Sequence, residues 1–414
     1  MANKISTQLK QAIIHASVAP AIIEVEYNRH RELPKLSITQ TLSFRKYRRT
    51  YVSMYLNKRI ADKLSDLSIV KNISFDRKIQ QSRAFLPSFL PSRSITLKPG
   101  MIPTGTIRKA LGGVQADADN SNGKGIKFTV IDSGYSPNNH QFPFRSVTTF
   151  SALTRYGGQI DQSGHGTWCV SSIGGNPYKL NDKDTIWGMC PKASLTSIRS
   201  LFTPTGMGTT SLTLKGLKMA LDRGVQIISM SLGSKEPTEK DDPLATIIRE
   251  STKQGILYCI AAGNYGPDKN TISSPGDILE AITVGAQSYT DKTVSFFSSR
   301  GPTEKGLIKP DILCYGGGRR IESLTPEETL ISSSSGMLDT LDRKNSIAGL
   351  MGTSMATPLH AGLLGWWQTY SKKRTGRYLN RDDITKIYKA NSTNYNNTHG
   401  YGLATYQWIK EYLR

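Results

Sequence analysis

From about residue 101 onward, short apolar stretches recur at intervals too long for hairpins. They cover residues 126–131, 195–198, 225–232, 256–262 and 281–284. The clearest of them, 256–262, is continuous rather than alternating, and helical or glycine-rich stretches separate them. A continuous apolar strand is one buried on both faces. Strands joined by helical crossovers pair in parallel. The spacing therefore predicts an α/β fold, a three-layer doubly wound, mostly parallel sheet. Functional groups of such sheets lie beyond the carboxyl ends of the strands. Any catalytic candidate should follow a strand.

The first hundred residues follow another pattern. Residues 21–27 and 51–56 alternate as strands do, and Ile60, Leu64 and Leu67 form a helical stripe. Residues 70–79 return to strand, with Val70, Ile73 and Phe75 as apolar positions. Residues 84–92, with Pro87 and Pro91, have no periodicity and form a linker. The chain thus divides into a small α+β unit (1–83), a linker (84–100) and the large α/β domain (101–414).

Charge separates these parts too. The chain carries 53 basic and 32 acidic residues, and residues 1–100 hold 18 of the former and 6 of the latter. A basic unit can meet nucleic acid, anionic lipid or an acidic face of its own chain. No nucleic-acid motif accompanies it, and aromatics around residues 45–49 are sparse. No stretch reaches the ~18 apolar residues of a membrane span. Gln8, Lys10, Gln11 and His15 interrupt any signal-like apolar run near the start. An intracellular or virus-associated location is the expectation. Cys169, Cys190, Cys259 and Cys314 fit no zinc spacing and are predicted to be buried thiols, reduced in such a compartment.

Three strings carry chemistry-bearing residues. In 128–134 an apolar strand runs into Asp132, followed by Ser133 and Gly134. In 163–167 glycines flank His165, so backbone can approach it from both sides. In 352–358 the sequence Gly-Thr-Ser-Met-Ala-Thr-Pro leads into a small-residue helix. There Ser354 gains a helix N-terminus that favours a developing anion. Taken singly, each has an ordinary structural explanation: a turn cap, a satisfied histidine, a helix N-cap.

Together the strings resemble the subtilisin-like (subtilase) family over roughly residues 101–414, including the Asp…His…Ser order known for that family. The resemblance implies a serine endopeptidase with Asp132, His165 and Ser354 as its triad. Residues 261–264, Ala-Ala-Gly-Asn, resemble the segment that carries the family's oxyanion asparagine, here Asn264. Ser231, Leu232 and Gly233 resemble the strand lining the substrate cleft, with Gly206, Met207 and Gly208 on its opposite side. Ala261, Ala262 and Gly263, with the loop 265–275, are expected at the pocket for the residue before the cut, where Asp268 would favour a basic side chain. The N-terminal unit resembles the family's propeptide domain, an intramolecular inhibitor and folding assistant docked through its basic charge. Processing is then expected within 83–100, and the partners are protein or peptide substrates. Two rival readings remain: an active protease with a permanent basic adaptor for nucleic acid or membrane, and a silent binding protein on the same fold.

Departures from the family pattern are specific. The His string usually continues His-Val-Ala-Gly, and here continues Trp168-Cys169-Val170-Ser171, which predicts an altered wall. The loop after Asp132 reads His140-Gln141-Phe142, without the usual acidic calcium ligand. No cofactor is required, and Ca²⁺ would fall to Asp182 and Asp184, whose alternative is a solvated acidic loop. A polar insertion, 317–346, is predicted to be a surface loop near the cleft.

Overall fold

The computed structural model describes residues 4–34, 36–81, 97, 99–136, 147–153, 160–202, 205–318, 328–334, 347–392 and 394–414. The N-terminal unit comprises helix α1 (Thr7–Ala16), strands β1 (Ala19–Glu26), β2 (Ile38–Phe44) and β3 (Arg49–Leu56), helix α2 (Lys58–Ser65) and strand β4 (Val70–Phe75). Its antiparallel sheet has the order β2-β3-β1-β4. A separate short strand, β5 (Lys78–Gln81), follows.

The large domain opens with β6 (Met101–Pro103), α3 (Thr104–Ala110) and α4 (Gly113–Ala118). Next come β7 (Lys127–Asp132), β8 (Thr148–Ser151), α5 (His165–Gly174), the hairpin β9 (Tyr178–Lys179) and β10 (Thr185–Ile186), β11 (Ser194–Arg199) and β12 (Met207–Thr209). They are followed by α6 (Thr210–Leu221), β13 (Ile227–Met230), β14 (Leu232–Gly233), α7 (Pro243–Thr252), β15 (Leu257–Ala261), β16 (Ile282–Gln287) and β17 (Ile312–Tyr315). The chain closes with β18 (Thr329–Ser333), β19 (Ile347–Leu350), α8 (Thr353–Thr375), α9 (Arg381–Asn391) and α10 (Tyr406–Tyr412).

Seven strands form one sheet, β17-β16-β15-β13-β7-β11-β8, and every described pairing in it is parallel. Neighbouring residues of its strands face opposite cores. Ile227, Leu257 and Cys259 join α5 and α8 on one side, while Ile228, Tyr258 and Ile260 join α6 and α7 on the other. That gives three layers, as the continuous apolar strands predict. No described helix is long and apolar enough to cross a membrane. All four cysteines are free and buried.

The N-terminal sheet does not stand apart. Ile22, Leu42, Phe44 and Tyr51 share a core with Leu214, Leu217, Ile247 and Ile248 of α6 and α7. Segment 234–250, with five acidic residues, supplies the acidic face that the basic unit was expected to need. Asp242 caps α7, accepting from the Ala245 N–H at 2.8 Å, and also takes a 2.6 Å ion pair from Arg77. Asp76 in turn accepts from the Ser211 N–H and hydroxyl in the first turn of α6. Arg49 bridges Glu24 of its own sheet and Glu250 of α7.

Three expectations need correction. The strand predicted over 70–79 is two strands in different sheets, split at Asp76 and Arg77, which turn into the interface. The alternation rule could not see the break, because Ile79 continues the apolar series. Helix α1 and strand β2 were also missed, since α1 buries only Leu9 and Ile13. The insertion is not simply a surface loop. Its strand β18 is buried throughout and pairs with β19 and β6. Buried Glu328 just before it accepts from the Tyr289 and Thr290 N–H groups and the Thr290 and Ser288 hydroxyls. A carboxylate so satisfied can be buried where composition alone reads as loop.

Below the sheet, Lys309, Asp311 and Arg381 form a buried ionic cluster, with contacts of 2.6 and 2.8 Å to Asp311. Burial alone would raise the Asp311 carboxyl, but Lys309 and Arg381 outweigh it and hold it below the ordinary range. A depressed carboxylate contributes stability that is present above the unfolded value and is lost as pH falls through the folded one. Asp311→Asn should therefore cost about 3–5 kcal/mol, the usual loss on breaking a buried pair. Urea unfolding of both forms from neutral to acid pH should show the gap closing at the acid end.

Candidate active site

The residues singled out by the three strings meet at the carboxyl edge of the large sheet. Asp132 is the last residue of β7, Ser231 directly follows β13, and Asn264 lies just beyond β15. His165 opens α5, and Ser354 is the second residue of α8.

The histidine is held from below. His165 Nδ1 lies 2.8 Å from Asp132 Oδ1, and both side chains are wholly buried. With Nδ1–H donated to the carboxylate, Nε2 is left as the basic nitrogen. It has no hydrogen-bond partner among the described residues. Gly166 explains why a glycine must follow the histidine: a Cβ there would sit 2.3 Å from the Gly134 carbonyl oxygen. The first turn of α5 is thereby pressed against the end of β7.

Asp161, which sequence reasoning missed, fixes this turn. Its buried carboxylate accepts from the Ser133 hydroxyl, the Ser163, Gly164 and Thr167 N–H groups and the Thr167 hydroxyl, at 2.8–3.0 Å. Burial pushes its carboxyl up, and the bonds from Thr167 and Gly164 work against that. It stands four residues before His165. The N-cap itself is Gly164, so the usual capping position holds no acidic side chain, and what the sequence offered was only an acid near the positive end of a helix.

The serine is held by a reciprocal pair. Ser231 Oγ donates to the Ser354 carbonyl at 2.9 Å, and Ser354 Oγ donates to the Ser231 carbonyl at 3.2 Å. Asn264 Oδ1 accepts from the Thr353 N–H and hydroxyl at 2.9 and 3.0 Å. Those bonds settle the amide's orientation, so Nδ2 is its donor end. His360, further along α8 from Ser354, is no rival base. It bonds the Tyr388 hydroxyl at 2.6 Å, and burial pushes it down to about 3.

The expected cleft walls also come together. Met207 and Gly208 lie on β12, which Gly206 precedes, while Leu232 and Gly233 form β14; β5 lies between the two. It is antiparallel to both, pairing Ile79 with Gly208, Gln80 with Met207 and Gly233, and Gln81 with Leu232. Ala261, Ala262 and Gly263 are buried at the end of β15, and the Gly263 N–H donates to the Thr353 hydroxyl at 3.3 Å. Asp268 is exposed, so it does not supply the buried carboxylate that would select a basic side chain. Asp182 is exposed and Asp184 accepts from Asn181 at 2.9 Å on the β9–β10 turn, with Lys183 between them. Among the described residues no group of three or more His, Cys, Asp or Glu ligand atoms gathers around these two carboxylates. Residues 140–142, and 83–96 of the processing region, lie outside the described residues.

The subtilase family profile matches residues 123–404. The chain belongs to the subtilase family. It is 34% identical over 261 residues to serine protease AprX of Bacillus subtilis, covering 58% of this chain and 56% of that protein. It is 30% identical over 300 residues to pyrolysin of Pyrococcus furiosus, covering 66% of this chain and 19% of that protein. The major intracellular serine protease of Bacillus subtilis is 28% identical over 269 residues, 63% of this chain and 74% of the relative. The chain thus spans about half of AprX and a smaller part of pyrolysin.

Within this family frame, the departures at Trp168 and in the insertion prove to be one packing unit. Trp168 is fully buried and donates its indole N–H to the Ala348 carbonyl of β19 at 3.3 Å. Ser334, just past β18, donates to the Gly164 carbonyl at 3.1 Å. The insertion backs the histidine helix. Trp168→Ala should destabilise the chain by about 3–5 kcal/mol, measured by denaturant unfolding, without removing any group that faces substrate.

Proposed function

We propose that this chain is a serine endopeptidase made as a zymogen, its N-terminal unit acting as an inhibitor seated in its own substrate cleft. The observation that carries the reading is β5. A strand from the N-terminal unit runs between β12 and β14, beside the Ser231–Ser354 pair, as an extended substrate would when it adds to two open edges.

The chemistry follows from the geometry around it. Ser354 Oγ attacks the carbonyl carbon of the scissile peptide, and His165 Nε2 takes its proton. Asp132 holds the Nδ1–H tautomer and stabilises the imidazolium that forms. The oxyanion is received by the Asn264 amide and the Ser354 N–H at the start of α8. The imidazolium then gives its proton to the leaving amine, and an acyl-enzyme remains. A water deprotonated by His165 attacks the ester carbonyl, and the proton returns to Ser354 as the acid product leaves. The Ser354 hydroxyl must leave the Ser231 carbonyl for His165 when a substrate carbonyl is in place.

The inhibitory role rests on the docking contacts. Arg77 is 1% exposed and pairs with an almost equally buried Asp242. The same contacts occupy the basic unit against the acidic segment, which favours an inhibitor over a nucleic-acid or membrane adaptor.

Purified full chain should cleave itself between the N-terminal unit and the large domain, and should react with a fluorophosphonate. Ser354→Ala should abolish both. Asn264→Ala should keep labelling but lower kcat by about 10²–10³. A wild-type chain that neither labels nor cleaves would favour the silent binding protein. Arg77→Ala leaves Asp242 buried without its partner, a loss of about 3–5 kcal/mol. Activity should then appear earlier after purification, with the cleaved unit dissociating more readily in gel filtration.

A further inference from the structure

The two glutamines of β5 are bound by their side chains as well as their backbone. Backbone pairing to β12 and β14 would hold any extended peptide, because N–H and C=O groups carry no sequence information. Gln81 is only 8% exposed, and its Nε2 lies 3.3 Å from the hydroxyl of Ser163, two residues before His165. Gly206 gives the amide its room. A Cβ at that position would stand 2.6 Å from Gln81 Oε1, and the glycine backbone has a φ of +70°. Oε1 is buried with no described partner, so Ser163 is the one described side chain that bonds this amide. One position earlier, Gln80 Nε2 meets the Tyr265 hydroxyl at 2.5 Å. Tyr265 follows Asn264 directly, and Lys235 sits over its ring at 4.6 Å. Ile79, the residue before, is wholly buried beside Leu201, Leu214 and Leu232.

We infer that the cleft selects peptides carrying an aliphatic residue followed by two glutamines ahead of the cut, with Ser163 and Gly206 reading the second amide and Tyr265 the first. The inference rests on the protease reading, and on β5 lying in the cleft as a substrate does. Ser163 and Tyr265 are specificity residues here, since they touch the peptide's side chains and not the reacting bond.

The local chemistry favours glutamine over glutamate, and only an amide couples to Ser163. A glutamate in place of Gln81 would bury a carboxylate with a single hydroxyl donor, which is costly. Methionine has a similar shape and no amide, so it neither gains from Ser163 nor loses by its absence.

The test uses the self-processed full chain, with its active serine counted by fluorophosphonate, and quenched peptides copying residues 78–86. In the wild type, Gln81→Glu in the peptide should lower kcat/KM at least about tenfold. In the Ser163→Ala enzyme the parent peptide leaves a buried amide unpaired, so its kcat/KM should fall about fivefold or more relative to the Gln81→Met peptide. In the Tyr265→Phe enzyme the parent should lose about three- to tenfold, and a Gln80→Ala peptide should lose little. These enzyme–peptide couplings would not arise from a general structural defect, which lowers all peptides together. An enzyme that labels, cleaves the parent peptide and treats all variants alike overturns the inference and leaves the protease reading standing. An enzyme that neither labels nor cleaves overturns the protease reading itself. If Ser163→Ala does not fold, the wild-type ratio for Gln81→Glu decides alone.

Discussion

The reciprocal hydrogen bonds between Ser231 and Ser354 tie together two parts of the chain more than a hundred residues apart. One end directly follows β13 at the proposed cleft wall, the other opens α8, which carries the proposed nucleophile. Thr353 extends the tie to Asn264. Move α8 by an ångström, and the proposed nucleophile, the proposed oxyanion donor and the segment after β13 lose their common frame together. The parallel sheet makes this economical, because β7, β13 and β15 all end at the same edge.

Behind the histidine, a second frame does similar work. Asp161 gathers the N–H groups of the turn leading into α5, and Gly166 lets that turn rest on the end of β7. The buried β18–β19 hairpin then closes the back of α5 through Trp168. Histidine orientation thus depends on Asp161, which holds the turn before it, and on buried Trp168, three residues further along α5.

Much of this was legible from sequence, and the limits have physical causes. Continuous apolar strands announced the parallel sheet, and the strings around Asp132, His165 and Ser354 announced which residues would meet. Trp168 and the insertion were visible separately, but their contact is a tertiary fact that no local pattern encodes. Strand β18 was hidden because Thr329, Ser332 and Ser333 are polar yet buried, their backbone paired with β19 and β6 and the Ser332 hydroxyl meeting that of Ser172 at 3.4 Å. The break between β4 and β5 was hidden because period-two alternation survives a change of sheet. Asp161 was not legible because it binds the start of α5 from three residues before the N-cap, Gly164, outside the usual capping position.

The middle strand of the cleft sheet has one more consequence. When β5 is present, β12 and β14 are both paired, and the large domain presents no open edge there. When it leaves, two short edges face each other across a gap one strand wide. Unpaired edges are templates for whatever extended chain is near, including a frayed segment of an identical molecule. In the zymogen we propose, the N-terminal unit is therefore also an edge cover, and the stability of the released large domain in storage becomes a matter of its concentration.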